Sequence, residues 1–148
     1  MAEQNTLLGL LPLLPLAGSI IVYLLCKNSS RHGFSGWLAT GFALSAFAVA
    51  MKLFLERASD QVLNYTYWQW FAAGSIDISL SVHLDTLTHI MVLVVTGIGS
   101  LIHLYAIGYM AEDEHRPRFF AYLNLFLFSM LMLVLGDNLL VMFVGWEG

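Results

Sequence analysis

Four long tracts of this chain carry no Asp, Glu, Lys or Arg: those between Glu3 and Lys27, Arg31 and Lys52, Asp85 and Glu112, and Arg118 and Asp137. Each approaches the roughly 20 apolar residues that a helix needs to cross a hydrocarbon layer. One such tract fits a soluble core, but a chain of this size cannot hide all four from water. Inside lipid every backbone N–H and C=O must find a partner, which selects helices for isolated apolar segments. Composition agrees, because 59% of residues are hydrophobic and 11% charged, against about 25% charged in ordinary soluble domains.

The charges that remain exclude several classes. A net charge of -4 spread over several loops leaves no basic patch for nucleic acid. Cys26 is the lone cysteine, so an intrachain disulfide and a cysteine-based metal cluster are ruled out. The N-terminus lacks the positive n-region of a signal peptide, and the apolar run after it is too long for an h-region, so the first tract is read as a retained helix. Tyr23, Leu24 and Leu25 before Cys26 do not make a lipoprotein cleavage site.

The expected architecture is an all-α polytopic membrane protein in a single membrane domain. Helices are expected at about 6–26, 36–55, 84–109 and 117–135, with a fifth over 138–148 that the sequence leaves unfinished. Pro12 and Pro15 predict a kink in the first span. Lys52 falls one turn from the end of the second, where its amine can snorkel to the interface. Residues 62–84 differ: Ile76, Ile78, Leu80, Val82 and Leu84 alternate with Asp77, Ser79, Ser81 and His83, the period of a strand with one wet face. With the aromatic run Tyr65 to Phe71 before it and Gly74 between, the segment reads as an extramembrane β-hairpin. Lys27, Arg31, Arg116 and Arg118 against Lys52 and Arg57 place the N-terminus and hairpin outside.

Within the third span, Asp85, His89, Thr96 and His103 fall on one helical stripe that covers about 27 Å and must face protein or water. Histidine gains and loses a proton near neutral pH, and intramembrane ionisable groups mark ion paths. A proton relay is one reading of His103; a hydrogen bond to a neighbouring helix is the other. Asp85 and His89 are read as interface residues with ordinary structural bonds. The two histidines lie about four turns apart and cannot share a metal ion. The loop Glu112 to Arg118 is expected to be a solvated face.

Glu147 stands apart. If the fifth helix enters the membrane near Asn138, Glu147 lies about 13 Å deep, near the middle of a roughly 30 Å layer. A carboxylate there must be paired, hydrated or protonated, so a partner that moves makes it take up and release a proton. Asp137 and Asn138 are expected to cap the helix. Trp146 is expected to pack and help close the site.

The order "LDTLTHIMVLVVTGIGSLIHLYAIGYM" followed by "RFFAYLNLFLFSMLMLVLGDNLLVMFVGWEG" resembles the N-terminal region of the chain-5 or L-type subunit of respiratory complex I. The large subunit of cation/proton antiporters and membrane subunits of energy-converting hydrogenases share this block less closely. The resemblance implies a proton-translocating subunit of an NADH:quinone oxidoreductase, present as an N-terminal fragment that is inactive alone. In that family the glutamate matched by Glu147 works with a lysine two helices later. The resemblance further implies no cofactor on this chain, with NADH, FMN, iron–sulfur clusters and quinone on partner subunits. The expected partners are other membrane subunits and the lipid bilayer, in a bacterial inner membrane. An antiporter subunit and a noncatalytic membrane scaffold remain as alternatives.

Overall fold

A computed structural model describes residues 5–26, 32–57 and 61–148. Glu3, Lys27 and Arg31 lie outside the described residues. Helix α1 spans Thr6–Cys26, α2 His32–Glu56, α3 Thr86–Tyr109, α4 Arg116–Leu135 and α5 Leu139–Glu147; strands β1 Leu63–Ala73 and β2 Ile76–Leu84 stand between α2 and α3. The first four helices are long and apolar enough to cross a membrane.

The helix ends differ from the hydropathy reading where local chemistry intervenes. The second helix begins at His32 rather than Gly36, because hydropathy registers where lipid begins, not where the helical turn does. Leu84 ends β2 instead of opening α3, since extended Asp85 caps the helix by accepting a 2.7 Å bond from the Thr88 amide. Asn138 caps α5 through the amides of Leu140 and Val141, at 3.1 and 3.0 Å. Asp137 therefore does not cap; its carboxylate turns to the hairpin instead. Pro12 and Pro15 lie inside one uninterrupted helix.

Helix α1 packs on α2 and α4, α3 packs on α2 and α4, and α5 lies on α4. Close approach is built from small residues, as expected where lipid gives no hydrophobic drive for helix association. In α2, Ala39, Ala43, Ala46 and Ala50 form a fully buried stripe. A Cβ on Gly145 would run into the Leu133 backbone, so α5 and α4 touch main chain to main chain there. Two apolar clusters result. The larger, with Leu8, Leu53, Val82, Leu84, Leu135 and Val141, lies at the hairpin end; Val22, Ala39, Ala106, Phe120 and Ala121 fill the other.

The antiparallel hairpin turns at Gly74, the one residue with positive φ (63°) among those described. Two register shifts leave Tyr67 and Trp70 as extra residues in β1. Bulges re-aim side chains, and the Tyr67 hydroxyl reaches the Gly9 carbonyl of α1 at 2.5 Å. Burial pushes the Tyr67 phenol well above the ordinary tyrosine range, so it remains a donor.

Candidate functional site

Two polar assemblies interrupt the apolar bundle. The first is at the hairpin base. Ser81 donates to Asp137 Oδ2 at 3.0 Å, the Asp137 amide donates to the Ser81 carbonyl at 3.3 Å, and Asn138 Nδ2 donates to the Ser79 carbonyl at 2.8 Å. His83 lies 2.8 Å from Asn64 Oδ1, with Asp85 and Asp137 carboxylates at 3.8 and 3.9 Å. The Thr88 amide and then its hydroxyl, with His83 and Arg57 adding less, hold the Asp85 carboxyl below its usual range. Every member is partly exposed except Ser81, which is buried.

The second assembly is the stripe of α3. His89, Thr96, Ser100 and His103 are all buried against protein, which agrees with a face turned away from lipid; Asp85 leaves the stripe as the helix cap. Nε2 of His89 donates to the Ala50 carbonyl of α2 at 3.1 Å, and the ring meets Phe54 edge-on. Thr96 and Ser100 each bond a carbonyl one turn back, at 2.7 Å. Those hydroxyl hydrogens are committed to their own helix.

His103 is bound on both sides. Its Nδ1 is 2.7 Å from the Gly99 carbonyl and its Nε2 is 3.0 Å from Asn124 Oδ1 of α4. Asn124 is fully buried, and its Nδ2 has no partner. A Cβ on Gly18 of α1 would come within 2.7 Å of that Nδ2, so α1 lies directly against the pair. An apolar groove of about 200 Å³ between α3 and α4, lined by Val95, Gly99, Ile102, Leu123 and Leu127, reaches His103. Asn124 escaped the sequence reading. A single amide inside an apolar span was the available signal, because such amides bond across helices.

Glu147 is the last residue of α5 and is exposed. His103 and Glu147 are not brought together by hydrogen bond or ion pair among the described residues. Trp146 does not pack inward as expected: it is 70% exposed, because α5 turns Val141 and Gly145 to α4 and Trp146 elsewhere.

Residues 70–120, from β1 through α3 to the start of α4, match the model of the family described as NADH-ubiquinone oxidoreductase (complex I), chain 5 N-terminus. NADH-quinone oxidoreductase subunit L of Mycobacterium tuberculosis is 41% identical over 143 residues, which cover 94% of this chain and 22% of the relative. This chain belongs to the complex I chain 5 family. The chain 5 protein of Dictyostelium discoideum is 37% identical over 92% of this chain and 20% of its own length. The chain thus spans about a fifth of the length of the curated relatives it matches. This chain is also similar to part of a chain in the Mrp complex from Dietzia sp. DQ12-45-1b, with TM-score 0.71 and 27% identity over 95% of this chain and 14% of that one.

Proposed function

We propose that this chain supplies the N-terminal helices of a proton-translocating membrane subunit of an NADH:quinone oxidoreductase. Glu147 carries the translocated proton near mid-membrane, and His103 relays protons within the bundle. The observation that supports this reading most directly is a histidine bonded on both ring nitrogens, buried between membrane-length helices of a chain 5 family member. Burying so polar a pair costs stability unless its bonds are complete.

NADH, FMN, iron–sulfur clusters and quinone belong to partner subunits in this assignment. Neighbouring membrane subunits meet the hairpin tip, where Trp68, Trp70, Phe71 and Ile76 are exposed. The host is a bacterial inner membrane with the N-terminus and hairpin outside; Arg116 and Arg118 at the opposite end of α4 support that orientation.

Glu147→Gln in the complete subunit, assembled and reconstituted in vesicles, tests the role. NADH-driven proton uptake is expected to fall about tenfold or more for loss of a positioned proton carrier, with the complex still assembled. Full proton uptake in that variant removes Glu147 from the mechanism and favours a scaffold. The likeness to the Mrp complex favours one second reading, cation/proton antiport. It predicts sodium-dependent proton exchange in vesicles that contain neither NADH nor quinone.

A further inference from the structure

We infer that His103 gains and loses its proton only at Nε2, and that Asn124 is the positioning residue that serves both charge states by turning its amide. A backbone carbonyl accepts hydrogen bonds and never donates. At 2.7 Å from the Gly99 carbonyl, Nδ1 must carry hydrogen in the neutral ring as well as in the imidazolium. The proton that comes and goes is therefore the one on Nε2.

Nε2 faces Asn124 at 3.0 Å. It needs an acceptor there when the ring is charged and a donor when the ring is neutral. Among uncharged side chains a carboxamide offers both, on the two atoms of one planar group that a half-turn exchanges. With Oδ1 toward Nε2, the arrangement found suits the imidazolium, and Nδ2 is left buried without an acceptor beside Gly18 and Phe42. The turned amide suits the neutral ring and leaves the oxygen there instead. Each orientation forgoes one bond, so neither charge state is locked. Gly18 gives the amide room to turn, since a Cβ would sit 2.7 Å from Nδ2.

Among the described residues, no second ionisable group bonds to His103. Helix α3 presents the Gly99 carbonyl, α4 the Asn124 amide, α1 Gly18 and α2 Phe42. Arg116, about two turns earlier on α4, is held by the Ile107 carbonyl. The proton assignment stands on this geometry, while its consequence for transport rests on the relay reading of His103.

Nitrogen-15 NMR of labelled histidine in the complete subunit in lipid tests the inference, with the His103 signal identified by its loss in His103→Gln. In the wild type the neutral ring is expected to carry hydrogen on Nδ1 and a bare Nε2. A bare Nδ1 overturns the inference without any variant. In Asn124→Asp the carboxylate can only accept, so protonated His103 is expected to persist to higher pH by about 1–3 units. In Asn124→Leu the protonated form should appear only at lower pH than in the wild type. A titration midpoint unmoved in both variants overturns the role of Asn124. Normal proton translocation by His103→Gln would end the relay reading while leaving the tautomer result in place.

Discussion

The hairpin base and the His103–Asn124 pair are both polar, yet they are built on opposite terms. At the base, Asn64, Ser81, His83, Asp85, Asp137 and Asn138 share bonds among β1, β2, the cap of α3 and the α4–α5 turn, and most of them touch solvent. Water can replace most partners there, buried Ser81 excepted. At the pair, both residues are buried, each ring nitrogen has one partner, and one amide nitrogen has none. Lost bonds at the pair have no substitute. The base therefore suits a clamp that tolerates small changes, and the pair suits a site whose state depends on a single proton.

The strongest way to break that contrast is to crowd the pair from the far side. Gly18→Val places a Cβ 2.7 Å from both Asn124 Nδ2 and Phe42 Cβ, and overpacking of this kind costs about 1–3 kcal/mol or more. Thermal unfolding of the purified subunit in lipid should show the loss, and a stability equal to wild type would mean that α1 does not confine the amide. A mutation at the wet end should cost less. Asn138→Ala removes the α5 cap and the bond to the Ser79 carbonyl, an expected loss of about 1 kcal/mol in the same assay.

Smallest is the acid response of Asp85. Its carboxyl is held below the ordinary aspartate range, chiefly by the Thr88 amide. A group depressed in the folded state adds stability above its unfolded value and gives it up as pH falls through the folded one. The wild type should thus lose a small increment below about pH 3.9. Asp85→Asn, which can still cap but does not titrate, should show no such loss on acidification. An identical acid profile in the two proteins would show that the cap charge contributes nothing.

Much of the fold was legible because lipid punishes unpaired backbone so heavily. The first span was read at 6–26, as found, and the fourth differs by one residue at its start. Alternation from Ile76 to Leu84 marked β2, since period two is a property of the strand itself. The site was less legible. His103 stood out as an ionisable group in an apolar run, but nothing near it in sequence names Asn124, which lies on the next helix. Asp137 looked like a cap because it precedes α5, whereas the turn hands the cap to Asn138 and sends Asp137 to Ser81.

By itself the sequence determined how many apolar spans there are, where the hairpin interrupts them, and which few side chains carry chemistry. Solvation explains this, since each depends on residues close together in the chain and on the medium they can enter. Tertiary structure alone decided what meets the two ring nitrogens of His103, because the Gly99 carbonyl and the Asn124 amide come from different turns and helices. It also decided that the hairpin base is a clamp, through bonds between segments more than fifty residues apart.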